Sequence, residues 1–324
     1  MQQGSGMEIV VVSDINADLV FTGLPSLPAF RELKHATGMK FTLGGSSAIF
    51  AYNIARLGVA TGFVGKVGND HVGDFLLATL GSVGVDTSRV VRDGARPTGI
   101  CVSMSFPDEY AMVSYPGIRE SFALHEIDLE YVKSARHLHL SSFYLQPGLQ
   151  PGCVEIFRTA RAAGLTTSLD PDHDPREQWN GGMQELLQYV DLFLPNETEA
   201  LRISQTQDLT AAARRFSQFG HTTVIKQGRE GVAVIRNGQA TSAPAFEIQP
   251  LDTTGAGDSF NAGFIFKYLN RAPLQDCIVW GSACGALSTR SLGGIDAFPT
   301  CAEIEKFLVA HLHESVKMAT ESVL

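Results

Sequence analysis

Short apolar runs rich in β-branched residues alternate with stretches of helical periodicity along most of the chain. The runs are MEIVVVSD (7–14), ARHLHLSS (135–142), LTTSLD (165–170), DLFLP (191–195) and TTVIKQG (222–228). Unbroken runs of this kind are usually buried on both faces, as strands of a parallel sheet are. Between them the spacing predicts helices over 46–57, 70–82, 151–163, 182–189, 197–204, 208–219, 258–270, 273–290 and 301–318. The alternation predicts an α/β fold with a parallel-rich central sheet. It breaks in two places. Residues 15–43 hold ADLVFTGL and MKFTLGG, and 97–115 hold TGICVSMSF, a PDE turn and YAMVSYP, all strand-like without intervening helices. These segments, extended to 118, predict a small β-sheet flap, or lid, on a single domain spanning 1–324. Neither an internal repeat nor a low-complexity linker divides the chain.

With 324 residues and a 44% apolar share, the chain can bury a substantial core. A net charge of −9 leaves no evident phosphate-neutralising surface, so nucleic acid is not an expected partner. No apolar stretch approaches the length of a signal h-region or a membrane span, so neither membrane nor export is expected. The five cysteines are scattered without CxxC or CxxxC spacing, which argues against a zinc ribbon or a disulfide framework and suits a cytoplasmic setting. Residues 1–6, MQQGSG, read as a leader ahead of a natural start at Met7.

Candidate chemistry concentrates in DTTGAGDSF, residues 252–260. Gly255 and Gly257 lack side-chain bulk and permit positive φ, so consecutive N–H groups can converge on one point. The helix that follows adds free N–H donors and the positive end of its dipole, a phosphate site without a lysine. Asp258 at the same place would repel a bound anion unless a hydroxyl lay between them to be deprotonated, which is the geometry of phosphoryl transfer to an alcohol. A plain helix cap explains the same residues, with Thr253 or Thr254 capping and Asp258 favouring the dipole. A GxxxxGK[ST] loop is absent, and Phe260 occupies the place of the third glycine in a dinucleotide fingerprint.

DTTGAGDSFNAGF resembles the C-terminal signature of the ribokinase-like, PfkB-type carbohydrate kinases. GGSSAIFAYNIARLG, followed by GFVGKVGNDHVGDFLLATLGSVGVDTSRV, resembles their N-terminal signature and the segment after it. The resemblance covers nearly the whole chain, with both signatures in the expected order. It implies a ribokinase-like three-layer sandwich and an ATP-dependent kinase acting on a hydroxyl of a sugar or sugar acid. Asp258 would be the general base, and Gly255, Ala256 and Gly257 the anion hole. Asn196 and Glu199 match an NxxE motif that helps hold Mg²⁺ through its waters, although Asn followed three residues later by Glu is also a capping box. Lys226, Gly228 and Gly231 match a K-x-G-x-x-G turn at the nucleotide phosphates. Asn16 and Asp18 would hydrogen-bond substrate hydroxyls, and Gly44 and Gly45 would let backbone approach the substrate. Asp252 and Thr254 match the position of a monovalent-cation site, K⁺ being the expected ion; a capped turn explains them equally well.

Three departures bear on substrate class. Ile49 stands where the family helix carries an asparagine, Asp172 replaces the asparagine ahead of Trp179, and Tyr110 stands where many relatives carry a flap arginine. Ile49 and Tyr110 suit a nucleobase, which keeps a nucleoside kinase of the same fold as an alternative. A binding protein that retains the fold without turnover is a second. Asn53 reads as structural, and Ala48, Ala51 and Ala55 present one helix face to the sheet. Tyr110 and Met112 belong to the strands expected to close over the sugar. His137 and His139 share a strand face without a third ligand and read as structural, and His311 and His313 diverge on their helix. Whether two flaps pair in a homodimer is left open by the sequence.

Overall fold

The computed structural model describes residues 6–106 and 110–321, with the side chains of Tyr110 and of residues 312–321, His313 included, outside the described set. The PDE turn at 107–109 lies outside the described residues. In chain order the strands and helices are β1 (Ile9–Val12), β2 (Asn16–Thr22), β3 (Gly38–Gly44), α1 (Ser46–Arg56), β4 (Thr61–Val64), β5 (Lys66–Gly68), α2 (His71–Ser82), β6 (Val91–Asp93), β7 (Ile100–Ser105) and β8 (Tyr110–Tyr115). Then follow α3 (Leu129–Lys133), β9 (His137–Leu140), α4 (Cys153–Ala162), β10 (Thr166–Leu169), α5 (Met183–Leu186), β11 (Leu192–Phe193), α6 (Glu197–Ser204) and α7 (Leu209–Phe216). The C-terminal part holds β12 (Thr222–Lys226), β13 (Val232–Arg236), β14 (Gln239–Ala243), α8 (Ala256–Leu269), α9 (Leu274–Ser288) and α10 (Cys301–Glu321).

The large sheet has eight strands in the order β14-β13-β12-β11-β10-β9-β1-β4. Its pairings from β4 to β12 are parallel. Strand β1 shows why the sheet is buried on both sides. Ile9 and Val11 enter one core with Phe50, Phe264 and Trp280, whereas Val10 and Val12 enter another with Phe157, Phe193 and Phe216. Alternation of side chains thus places one layer of helices on each face, at about 1.5–3 kcal/mol per large apolar side chain removed from water. Strands β13 and β14 continue the sheet antiparallel. Their turn, Asn237 (φ 53°) and Gly238 (φ 75°), has the positive φ pair of a tight hairpin.

A second sheet, ordered β3-β2-β7-β8, is built from the segments without helices. Its registers pair Asp18 with Thr42 and Cys101, and Phe21 with Met39 and Met104. One face therefore carries Asn16, Asp18 and Thr42, and the other Phe21, Met39, Phe41 and Val113. Met39 and Val113 on the apolar face are 62% and 64% exposed. The polar face includes the residues expected to meet substrate.

Candidate active site

The carboxyl ends of the central strands deliver the chemistry, as expected for an open α/β sheet. Asp14 follows β1, Ser141 and Ser142 follow β9, Asp170 and Asp172 follow β10, and Lys226 ends β12. Three non-glycine residues at this edge have positive φ: Ser13 (143°), Ser142 (59°) and Asp172 (60°). Backbone held in sparsely populated regions tends to gather where function over-determines it. Here Ser142 Oγ donates to Asp172 Oδ2 at 3.0 Å, and Ser46 Oγ donates to the same oxygen at 3.2 Å.

Helix α8 begins at this edge. Gly255, its N-cap, is left-handed at φ 70°, and a Cβ added there would stand 2.7 Å from Gly294 Cα. Only glycine fits that position, and no side chain caps the turn: the Gly255 and Gly257 N–H groups make no hydrogen bond among the described residues, while Ala256 N donates to Thr253 O at 3.1 Å. At Gly257 an added Cβ would lie 3.5 Å from Lys226 Nζ, so a cation stands beside the turn. Asp258, in the first turn, is buried. Burial, reinforced by Asp170 and Asp172, raises its carboxyl well above the usual range, and Lys226 opposes that rise.

Lys226 Nζ donates to Asp170 Oδ2 at 2.5 Å, and Asn261 Nδ2, one turn after Asp258, donates to the same oxygen at 2.6 Å. Burial alone would lower the lysine, but Asp170 and Glu199 outweigh it and hold the ammonium above its ordinary pKa. Asn196 and Glu199 form a full capping box: Asn196 Oδ1 accepts from Glu199 N at 2.9 Å and Glu199 Oε2 accepts from Asn196 N at 2.8 Å. Glu199 is buried, which, together with Asp170, pushes its carboxyl up to about 8. Gly228 (φ 56°) opens a short 3₁₀ turn with open space at its Cβ position, beside Gln227, whose Nε2 donates to Glu197. Gly231 (φ 96°) packs against Ala243 O, where a Cβ would lie 2.1 Å away.

At the flap side, Arg119 Nη1 donates to Asn16 Oδ1 at 2.6 Å and reaches Asp14 Oδ2 at 3.3 Å, while Asn16 Nδ2 donates to Asp18 Oδ1 at 2.8 Å. This chain fixes the Asn16 amide and aims Asp18. Burial first, then Asp14, raises the Asp18 carboxyl to about 7, against the hydrogen bond from Asn16 and the charge of Arg119. Gly44 faces Asp18 so closely that a Cβ would overlap it, at 2.1 Å from Oδ1. Gly45 (φ 88°) caps α1, and the next turn donates Ser47 N to Asp14 Oδ1 at 3.0 Å. Asp252 ties two loops: Oδ1 accepts from Thr254 N and Oγ1 at 2.9 and 2.8 Å, and Oδ2 accepts from Gly293 N at 2.8 Å.

The structure therefore brings Asp258, the 255–257 turn, Lys226, Asn196 and Glu199 to one edge, with Asn16, Asp18, Gly44 and Gly45 at the flap. Ile49 packs against Gly255 and Gly294. Asn53 donates to Ser259 Oγ and Gly294 O, both at 3.1 Å, which joins α1 to α8. Sequence reasoning passed over Asp14, Arg119, Asp170 and Asn261. Asp14 and Asp170 end the strand-like runs MEIVVVSD and LTTSLD, and Asn261 stands one turn beyond Asp258; position was their signal. Arg119 had no local signal, because only the folded flap brings it to Asn16.

The fold is that of a small-molecule kinase, and at its carboxyl edge glycine N–H groups, a buried carboxylate and the polar face of the flap lie together. Residues 7–301 match the pfkB family carbohydrate kinases. An uncharacterized sugar kinase of Archaeoglobus fulgidus is 31% identical over 252 residues, 76% of this chain and 98% of its own. The 5-dehydro-2-deoxygluconokinase of Geobacillus kaustophilus is 30% identical over 86% of this chain and 88% of its own. Among solved structures, the ribokinase of Arabidopsis thaliana complexed with ribose and ATP superimposes with a TM-score of 0.79 at 26% identity, covering 94% of this chain and 99% of its own. The chain belongs to the pfkB family of carbohydrate kinases. It has the ribokinase-like fold and is an ATP-dependent sugar kinase.

Proposed function

We propose that the chain, acting as one domain with its flap, transfers the γ-phosphoryl group of ATP to a hydroxyl of a sugar or sugar acid, with Asp258 as general base. The observation that carries this reading is a buried carboxylate in the first turn of a helix whose glycine cap bares its N–H groups beside Lys226. The acceptor oxygen attacks phosphorus as its proton passes to Asp258, and the bond to the ADP oxygen breaks. Donors at 255–257 stabilise charge that develops on the transferred group. Asn16 and Asp18, aimed by Arg119, hold acceptor hydroxyls, and Lys226 with Gly228 faces the nucleotide phosphates.

Asp170, Asp172, Glu199 and Asp258 form a surplus of buried acid around Lys226, which suits a divalent cation electrostatically. Among the described residues no three His, Cys, Asp or Glu side chains converge as direct ligands. Asn196 and Glu199, locked in their capping box, fit Mg²⁺ through its waters. When bound, Mg²⁺ neutralises phosphate charge as the γ-phosphoryl group moves. Asp252, fixed by Thr254 and Gly293, fits a hard monovalent ion such as K⁺, which would add positive field next to the turn. No helix among the described residues is long and apolar enough to cross a membrane. The flap's exposed apolar face supports pairing with the flap of a second copy.

A panel of sugars, sugar acids and nucleosides, read by ADP release from Mg-ATP, tests the reading. Acceptor-dependent release with a sugar or sugar acid best is expected; a nucleoside as the best acceptor, or no response to any acceptor, contradicts it.

A further inference from the structure

At the opposite end of the sheet from the reacting groups lies a cavity of about 520 Å³. Its walls are the amino ends of β9, β10 and β12 and the carboxyl end of α8. Arg136 precedes β9, Arg236 ends the antiparallel β13, and Arg271 follows α8; all three line the cavity together with Thr166, Thr222 and Tyr268. The volume falls in the range of small-molecule sites, roughly 300–1,000 Å³.

The charged side chains that line this cavity are positive although the chain carries −9 overall. Asp191, whose charge acts on Tyr268, pairs with Arg161 and accepts from Thr167 N, and Glu8 meets Arg136 at 3.4 Å, so of the three arginines Arg136 already has an acidic partner. Arg236 and Arg271 make no salt bridge among the described residues. The carbonyls at the end of α8 do not compete for the guanidinium groups, because Phe266 O accepts from Asn270 Nδ2, Lys267 O from Ala272 N and Tyr268 O from Arg271 N.

The cavity's inner wall is ordered. His137 Nδ1 bonds Thr166 Oγ1 at 2.7 Å, and the His137 ring meets Tyr268 edge-on at 6.1 Å between centroids. From there a ladder runs inward, His137 Nε2 to Ser168 Oγ, Ser168 Oγ to His139 Nδ1, and His139 Nε2 to Ser141 Oγ, each at 2.7 or 2.8 Å. Burial drives the His137 ring down to about 3 and the His139 ring below its usual range, so both rungs are neutral at ordinary pH and the charge is set by the three arginines against Glu8, Asp191 and Asp276 around the rim.

We propose that this cavity binds a small anionic metabolite, whose phosphate or carboxylate groups are held by Arg136, Arg236 and Arg271 while its remaining surface meets Thr166, Thr222 and Tyr268. Guanidinium forks suit both groups, since each offers paired oxygens in a plane or on a face. The site is separate from the catalytic edge and takes a ligand that is not consumed there.

The test is calorimetric titration of the full chain with citrate and with inorganic phosphate, the active site first saturated with Mg²⁺ and a non-hydrolysable ATP analogue. At least one probe is expected to bind one to one with Kd below about 1 mM, and the better probe identifies the preferred anion. Arg236→Glu/Arg271→Glu is expected to weaken that binding at least about tenfold while acceptor-dependent ADP release without probe stays at the wild-type level; Arg236→Gln should lie between. Absence of binding by both probes up to about 10 mM, or equal binding by wild type and the double variant, overturns the proposal.

Discussion

At the residue scale, the site places two kinds of titratable group in tension. Asp258 must lose its proton to act as a base, yet burial and Asp170 hold that proton on, and Lys226 loosens it. Activity should therefore rise with pH, approaching tenfold per unit below the Asp258 pKa and levelling above it. In Lys226→Met the opposing charge is gone, so the rise of kcat/KM should move to higher pH as well as fall in height. An unmoved midpoint would show that another group sets the profile. Asp18 makes a statement about stability instead. Its folded pKa of about 7 lies above the 3.8 of the free side chain, so between those values the unfolded chain gives up a proton that the folded one keeps. Stability falls as pH rises through that window, by at most about 1.4 kcal/mol per unit, and the penalty is complete above it. Asp18→Asn should thus unfold at a higher temperature than wild type at pH 8, with the gap closing towards pH 4, while its KM for acceptor rises.

At the element scale, the start of α8 depends on one backbone conformation. Gly255→Ala places a Cβ at positive φ and against Gly294 Cα, so it should lower stability by about 1–2 kcal/mol from backbone strain before any clash is counted. Thermal unfolding checks the first effect. A loss of kcat much larger than the loss of stability implies would show that the N–H groups themselves are displaced. The central strands and most helices were legible because apolar periodicity and β-branched runs are local properties. Strands β13 and β14 lie outside the expected strands although VAVIRNGQAT carries an Asn-Gly hairpin turn; they form an antiparallel edge on a sheet whose other runs read as parallel. The short β5 and β6 are set by neighbouring strands, with too few residues to show a period of their own, whereas the two-residue β11 falls inside the expected run DLFLP.

At the scale of the whole molecule, function lies between elements far apart in sequence. Asp258 and the 255–257 turn stand out in the string itself, whereas Lys226 and Glu199 stand out only through the family resemblance, because a glycine loop and a capping box explain them equally well. Asp14, Asp170 and Arg119 do not stand out as motifs, because their roles come from the order in which strands assemble and from where the flap folds back. The flap also sets an assembly prediction. Its apolar face, with Met39 and Val113 mostly exposed, should bring two copies together, giving twice the single-chain mass by sedimentation. Met39→Glu/Val113→Glu should return the protein to single chains. A wild type that sediments as one chain at high concentration would exclude flap pairing.

The central claim is that Asp258 takes the acceptor's proton. Its most direct test is acceptor-dependent ADP release by Asp258→Asn beside wild type, at saturating Mg-ATP and with unfolding temperatures matched. A fall in kcat of about 10²- to 10⁴-fold, with the nucleotide still bound, is the predicted result. A variant that retains wild-type kcat would contradict the account and place the base elsewhere at this edge.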